Sequence, residues 1–335
     1  MENADPQHPE VMHYFDPMRK QGGDNTDALY VGAPINGTDT YRVTGHRGSA
    51  RYFSVTVVER GDTPWGGAVA ATLFGDQIEV APDGSFELWL SPDPQPGNWI
   101  KTTPETFRLT FRQFFADWEN EKPMEARIDR LTGDGRPAAD AGNGDRRTCR
   151  RGPLDRLVGD LLGGHDRQME GPTQPIPFLS PARRQQDRRH AGRRAADRLL
   201  DPAARRGADH KGPPPQAQYW AVEFGNYWWE TMDYRYRLAN TNCHYAALEE
   251  DGELIVVVSH DDPGLPNWLD PSGHSEGYVT YRWMLADHYP VPQCRQVKRA
   301  ELFDHLPEGV RRISREERAE QLAGRRRGIV SRFKW

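Results

Sequence analysis

Two histidines and several carboxylates lie close together in the last third of the sequence, where they can do chemistry. His260 and Asp262 have i, i+2 spacing, as do His274 and Glu276, so an extended backbone places each pair on one face. Imidazole and carboxylate groups can bind zinc, iron or manganese, and His274 can act as a general acid or base with Asp262 or Asp270. The candidate catalytic residues are therefore His274, Asp262 and His260.

Hydrogen bonding within a loop is the alternative for this cluster. The prolines and glycines between the two pairs favour a loop, and the HxH…E pattern of a cupin-type metal site does not occur. We therefore expect no metal and no cofactor. If a metal does bind, its ligands are expected to be His260, Asp262, His274 and Glu276.

Two Asn-Trp pairs, Asn98-Trp99 and Asn267-Trp268, lie in predicted turns. Asn tolerates turn geometry and caps backbone groups, while Trp covers the end of a sheet, which gives the pairs a structural role. In the alternative role, the aromatic face and the adjacent amide bind a sugar or an aromatic ring.

Arg112 and Arg282 occupy matching positions in two predicted strands, each with a threonine two residues earlier on the same face. A structural bidentate pair is one interpretation, with Asp93 and Asp262 as the expected partners. A clamp for an anionic ligand is the other interpretation.

The densest aromatic cluster runs from Tyr227 to Arg237. Strand alternation predicts Trp228 and Glu230 on one face and Tyr227 and Trp229 on the other, so that part of the cluster is core and part lines a groove. The candidate ligand-binding residues of the chain are Trp268, Asn267, Arg282, Trp228 and Tyr234.

The elements that must position these residues come from an internal repeat. Tyr52–Val57, Asp83–Ser91, Asn98-Trp99 and Phe107–Arg112 recur in the same order as Tyr219–Phe224, Asp251–Ser259, Asn267-Trp268 and Tyr278–Arg282. The runs are rich in β-branched and aromatic residues and are separated by Asp-Gly and Pro-Gly turns, which predicts antiparallel strands.

The predicted fold is mainly β, with two repeated antiparallel β-sandwich or jelly-roll-like units and a short C-terminal helix. Strands are expected at 40–44, 52–58, 77–80, 85–90 and 107–111. Ser314 and Glu317 form a capping box that opens a helix through about Arg326, whose arginines suit the negative end of the helix dipole.

The composition changes between Gly133 and Lys211, where about 16 Arg accompany a single aromatic residue, Phe178. Such a stretch cannot build a packed core, so we predict a disordered Arg-rich linker. The excess of Arg, Gly, Ala, Pro and Asp is also typical of GC-rich DNA read out of frame. The sequence therefore leaves open a frame-shifted segment, and a basic arm that binds nucleic acid is not favoured.

The motifs GDN followed by LY, DGS…NW…R, and NYWWE…DYRYR…DPGLPNWLD…GH…RW resemble the bacterial domain-of-unknown-function family 1214. The resemblance covers about 3–130 and 213–332. It implies a β-sandwich fold, and it carries no catalytic residue because the family has no agreed activity.

These observations predict four regions: a first β-sandwich unit at 1–131, a disordered or frame-shifted linker at 132–211, a second unit at 212–300 and a helical tail at 301–335. The expected function is an uncharacterised ligand-binding or structural module with a small-molecule or saccharide-like ligand. The alternatives are a hydrolase or lyase that uses His260, Asp262 and His274, and a non-functional frame-shift product.

The sequence also excludes several classes of protein. No run reaches the ~18 apolar residues of a membrane helix, so we expect no membrane partner. Three distant cysteines form neither a disulfide framework nor a Cys-based zinc site, and a cytoplasmic location follows as the expectation. GxSxG, Walker A and HExxH motifs do not occur in the sequence.

Overall fold

The computed structural model describes residues 5–20, 22–61, 67–132, 198–200, 206–211 and 213–334. The middle segment, for which the sequence predicts disorder or a frame shift, lies outside the described residues except for two short strands at 198–200 and 206–211. In the first half of the chain the strands are β1 (Met12–His13), β2 (Ala28–Pro34), β3 (Tyr41–His46), β4 (Tyr52–Glu59), β5 (Val69–Phe74), β6 (Ser85–Ser91), β7 (Asn98–Lys101), β8 (Thr106–Phe114) and β9 (Glu125–Arg130).

The second half repeats this series of strands. They are β10 (Arg198–Leu200), β11 (Arg206–Lys211), β12 (Ala217–Asn226), β13 (Asn240–Asn242), β14 (Val256–Val258), β15 (Trp268–Leu269), β16 (Gly277–Ala286) and β17 (Gln293–Lys298). Short 3-10 helices span Gly75–Gln77 and Arg299–His305, and one long helix, α1, spans Arg315–Phe333.

The strands form four sheets, two in each unit. The first unit has the orders β1-β2-β8-β4-β5 and β7-β6-β3-β9, and the second unit has β10-β16-β12-β13 and β15-β14-β11-β17. Apart from β1, each strand of the first unit has a counterpart at the same place in the second. Even the parallel pairing of β6 with β7 recurs as that of β14 with β15.

Strands β10 and β11 lie before residue 212, the predicted start of the second unit. Strand β11 pairs with both β14 and β17, as β3 pairs with β6 and β9. Strand β11 therefore takes in the second unit the place that β3 takes in the first.

Each unit has a hydrophobic core between its two sheets. Val55 and Phe111 of one sheet meet Val43 and Leu88 of the other in the first unit. Nearly all of β4 is buried, because the other face of its sheet meets the second unit. There Tyr52 of β4 stacks on Phe114 of β8, and Phe114 contacts Tyr219 of β12. The mainly β sandwich architecture predicted from the sequence is confirmed.

The strand predicted at 77–80 is wrong. The side chain of Gln77 accepts the Phe74 N–H at 2.9 Å and ends β5 in a tight turn. The backbone of Glu79 then binds the side chain of Asn98 instead of a strand, although Ile78 is buried as in a strand pattern.

The capping box of α1 is confirmed, since Ser314 and Glu317 exchange hydrogen bonds of 2.7 and 3.1 Å. The predicted end at about Arg326 is wrong, because α1 continues to Phe333. Gly328 lies inside the helix, and a Cβ there would lie 2.5 Å from Trp118, so the glycine allows the helix to pack close to Trp118. Within the described ranges, no helix is long and apolar enough to cross a bilayer.

Candidate functional site

The two Asn-Trp pairs have the same structural role in both units. Asn267 accepts the Ala247 N–H at 2.9 Å and donates to the carbonyls of Ala247 and Ile255 at 2.7 and 3.0 Å. Asn98 accepts from the Glu79 N–H at 2.7 Å and donates to its carbonyl at 2.9 Å. The Asn267 amide therefore joins three backbone groups.

The tryptophans of these pairs are held in the same way. Trp268 donates its indole N–H to the Ser259 carbonyl at 2.7 Å, and Trp99 donates to the Ser91 carbonyl at 3.2 Å. The guanidinium of Arg318 lies over the Trp268 ring, 5.2 Å from its centre. Trp268 is thus half-buried between a sheet edge and α1.

The histidine and carboxylate cluster of the second unit is not brought together. His260, Asp262, His274 and Glu276 are exposed, and no hydrogen bond among the described residues joins their side chains. Asp262 pairs with Arg318 of α1 at 2.9 Å. In the part of the chain that the structure describes, no group of three or more His, Cys, Asp or Glu side chains is placed to hold a metal ion.

One interpretation of the sequence paired Arg282 with Asp262, and this pairing is wrong. Its partner is Glu223, on the neighbouring strand β12, at 2.8 Å. Burial raises the pKa of the Glu223 carboxyl, and the positive charge of Arg282 opposes that shift. Arg282 also donates to the carbonyls of Gly23 and Asp24 at 3.0 and 3.1 Å.

The segment from Gly23 to Asp27, just before β2, lies against the second unit. Glu223 accepts the Thr26 N–H at 2.7 Å, and Asp24 accepts the hydroxyl of Thr231 at 2.7 Å. Burial raises the pKa of Asp24, opposed first by these bonds from Thr231. This segment therefore joins the first unit to the second through side chains of β12 and of the loop that follows it.

Asp27 is the centre of the contact between the units. Its buried carboxylate accepts four side-chain hydrogen bonds of 2.6–3.0 Å, one each from Trp118, Tyr219, Asn240 and Asn242. With both oxygens occupied and no exposed surface, the carboxylate holds the two units together and is not placed to meet a substrate.

Two buried arginines of α1 lie beside this centre. Arg325 and Arg332 lie over the ring of Trp118, at 3.9 and 4.4 Å from its centre. Arg325 binds the carbonyl and side chain of Asn240, and Arg332 donates to the Thr26 carbonyl at 2.7 Å. Burial lowers the pKa of Arg325 to about 10.

The loop Asn226–Arg237, here called the aromatic loop, carries the exposed aromatic side chains of the second unit. Trp228 is 61% exposed and Trp229 is 53% exposed, and Tyr227 and Tyr236 are exposed as well. Tyr234 is buried, since its ring packs against Trp118 at 6.3 Å. Of the five ligand-binding candidates from the sequence, Trp228 is therefore the one most available to a ligand.

The predicted strand alternation across residues 227–230 is wrong. Asn226 accepts the N–H groups of Trp228 and Glu230 with its side chain, at 2.9 and 3.1 Å, and so folds the chain into a turn. Trp229 adopts φ +63°, and its carbonyl accepts the Gly23 N–H at 2.6 Å. Side chains on a turn do not alternate between two faces, so Tyr227, Trp228 and Trp229 all reach the surface.

Sequence reasoning missed Asp27, Trp118 and Glu223. One signal was present for Glu223, because the repeat aligns it with Thr56 and so marks a place where the second unit departs from the first. The local sequence held no comparable signal for Asp27, because its hydrogen-bond donors lie 91 to 215 residues further along the chain.

Comparisons with known proteins agree with this fold. The model of a family described as protein of unknown function (DUF1214) matches residues 25–117 and 206–287. A crystal structure of an uncharacterized protein from Burkholderia cenocepacia is similar, with 30% identity, a TM-score of 0.73, and coverage of 90% of this chain and 84% of that chain.

The VPA0106 protein from Vibrio parahaemolyticus shares the fold at 11% identity and a TM-score of 0.51, with coverage of 83% of this chain and 91% of that chain. No curated protein matches the sequence significantly.

Proposed function

The chain belongs to the DUF1214 family of proteins of unknown function, and we propose that it is a ligand-binding module whose aromatic loop takes a saccharide-like ligand. The observation that carries the proposal is the exposure of Tyr227, Trp228, Trp229 and Tyr236 within ten residues of chain. Single exposed aromatics are ordinary on a protein surface, but a contiguous group of them is typical of an interaction site.

The chemistry around the rings suits a sugar. A pyranose ring has apolar C–H faces that stack on aromatic rings and hydroxyl edges that need polar partners. Arg326 and Arg235 lie over the Tyr236 ring, at 4.6 and 5.4 Å from its centre. Arg235 is oriented by Asp233 through two hydrogen bonds of 2.8 and 2.9 Å. Stacking surfaces and charged hydrogen-bonding groups therefore lie side by side.

The loop is held in place before any ligand arrives. Asn226 fixes the turn from within, and the Gly23 N–H fixes the Trp229 carbonyl from the first unit. A Cβ on Gly23 would lie 3.0 Å from the Trp229 ring, so the glycine allows the ring to pack close to the backbone. A preorganised loop loses less conformational entropy on binding.

Affinity gel electrophoresis with laminarin, xylan or hydroxyethyl cellulose in the gel tests the proposal. We expect at least one of these polysaccharides to retard the wild-type protein, and Trp228→Ala to weaken binding about tenfold or more, as loss of a central aromatic contact does. Trp89→Ala, which removes a half-buried tryptophan of β6 in the first unit, is the matched control and should be retarded like the wild type.

Three outcomes would overturn the proposal. They are no retardation by any of the polysaccharides, equal retardation of the wild type and the Trp228→Ala variant, and equal weakening by Trp228→Ala and Trp89→Ala. Sedimentation of the wild type with phosphatidylglycerol vesicles, without polysaccharide binding, would instead make the aromatic loop a membrane-docking surface.

We further propose that the two units are copies of one duplicated ancestor and that the protein works in the cytoplasm. Their matched strand orders and the shared hydrogen bonds of Asn98 and Asn267 support duplication. Cys243 forms no disulfide within the described residues, as expected in a reducing compartment.

A further inference from the structure

In the part of the chain that the structure describes, Arg112, on β8, has no partner of its own. Among the described residues, no hydrogen bond, ion pair or ring contact holds its guanidinium, and its Nε is shielded from solvent. An arginine in such a half-buried place ordinarily lies against a carboxylate or a group of carbonyls, because its desolvation must be offset.

The second unit shows what is missing at Arg112. Arg112 lies opposite Ser54 as Arg282 lies opposite Ala221, so the two arginines occupy equivalent positions. Two residues after Ala221, on the same face of β12, the second unit has Glu223, which pairs with Arg282. The first unit has Thr56 at that place, and a threonine supplies no negative charge.

The surroundings of Arg112 suit a small ligand with one polar end. Three buried hydroxyl-bearing residues lie next to it on the same face of the sheet: Ser54, Thr56 and Thr110. Opposite Arg112, on β2, lies Tyr30, whose half-buried ring contacts the ring of Phe15 edge-on at 5.3 Å. Hydroxyl groups can orient a carboxylate, while the aromatic ring of Tyr30 can pack against an apolar body.

We propose that Arg112 binds the carboxylate of a small organic acid with an aromatic or apolar body. The ligand carboxylate would pair with Arg112 as the Glu223 carboxylate pairs with Arg282. A planar carboxylate accepts two parallel N–H bonds from a guanidinium, as Glu and Asp side chains do within proteins. This site is separate from the aromatic loop and does not depend on the saccharide proposal.

Isothermal titration calorimetry with benzoate tests the site, and benzamide serves as the uncharged ligand of the same shape. We expect saturable benzoate binding, weaker binding of benzamide, and a loss of about tenfold or more in benzoate affinity for Arg112→Gln. Arg127→Gln removes an exposed arginine of β9 and should leave benzoate binding unchanged.

A second pair of variants tests the site without any ligand. Thr56→Glu gives the first unit the carboxylate of the second, whereas Thr56→Gln adds the same bulk without the charge. We expect Thr56→Glu to unfold at a higher temperature than Thr56→Gln and to abolish benzoate binding, because Arg112 then has an internal partner.

Four outcomes would overturn the inference. Benzoate fails to bind the wild type, benzoate binds Arg112→Gln as it binds the wild type, or benzamide binds as tightly as benzoate. The fourth is that Thr56→Glu unfolds at or below the temperature of Thr56→Gln, which would show that Arg112 does not accept a carboxylate there.

Discussion

At the scale of single residues, the junction between the units contains buried charged groups of opposite sign. One carboxylate, that of Asp27, lies beside the guanidiniums of Arg325 and Arg332, and all three groups are almost wholly buried. Burial lowers the pKa of both arginines, and the charge of Asp27 opposes this shift. The two arginines also lie on an aromatic ring, which offsets part of their desolvation.

Asp27→Asn tests this account, because it keeps the shape of the side chain and removes its charge. We expect the variant to lose about 3 kcal/mol or more of unfolding free energy, since two buried guanidiniums lose the negative charge that most offsets their burial. Urea denaturation followed by tryptophan fluorescence measures the change. Asp83→Asn, in an exposed turn, should stay close to the wild type. Equal midpoints for all three proteins would contradict the role given to Asp27.

Residues that act through local sequence were predictable, and those that act across the chain were not. Ser314 and Glu317 lie three residues apart, so their capping box could be recognised from the sequence alone. The partner of Arg282 was expected to be Asp262, only 20 residues away. The actual partner, Glu223, precedes it by 59 residues, and only the pairing of β12 with β16 brings the two together.

At the scale of elements, α1 is attached by arginines at intervals of seven residues. Arg318 binds the second unit through Asp262, Arg325 binds at the junction, and Arg332 binds the first unit through the Thr26 carbonyl. Seven residues are about two turns, so the three side chains share one face of the helix. The helix dipole was the expected reason for the arginines of this helix, but these three arginines are buried contacts.

The carboxyl end of α1 should respond to pH through His13 of β1. The imidazole ring lies 6.0 Å from the ring of Phe333. His13 is exposed, but partial desolvation at this contact lowers its pKa below 6.5, helped by Arg19 and Lys334 and opposed by Asp16. The unfolded chain therefore takes up this proton at a higher pH than the folded chain, so this contribution to stability falls as the pH falls.

His13→Gln should remove that dependence. We expect the unfolding free energy of the wild type to fall more steeply from about pH 7 to about pH 5 than that of the variant. Urea denaturation at a series of pH values measures both, and His274→Gln, which changes an exposed histidine outside this contact, should follow the wild type. Parallel curves for the wild type and His13→Gln would show that the contact with α1 does not lower the pKa of His13.

At the scale of the whole molecule, α1 and the segment before β2 tie two similar units into one. Each unit has its own core, and between them lie polar contacts and a small cluster of residues such as Tyr52, Phe114 and Tyr219. The repeated sequence motifs indicated two similar series of strands, because each series is local in the sequence. The sequence did not predict their junction, because no residue pattern records which surfaces of two folded units meet.

Removal of α1 tests how far this tie makes the molecule cooperative. We expect the full chain to unfold in one calorimetric transition and a chain ending at residue 313 to unfold in two, because Arg318, Arg325 and Arg332 no longer join the units. Differential scanning calorimetry separates the cases. Arg327→Met, which removes an exposed arginine of the same helix, should keep the single transition. A single sharp transition in the shortened chain would contradict the role of α1.

The position of α1 along the chain also bears on how the protein is made. The Thr26 carbonyl and Arg332 are separated by 306 residues. At roughly 5–20 residues per second, the ribosome needs about 15 to 60 s to synthesise the chain between them. Until α1 is synthesised, Asp27 and, once it has been made, Trp118 lack the arginines that lie beside them in the finished fold. The nascent chain therefore exposes an acidic, aromatic surface that disappears when translation reaches α1, and chaperones can meet it only within that time.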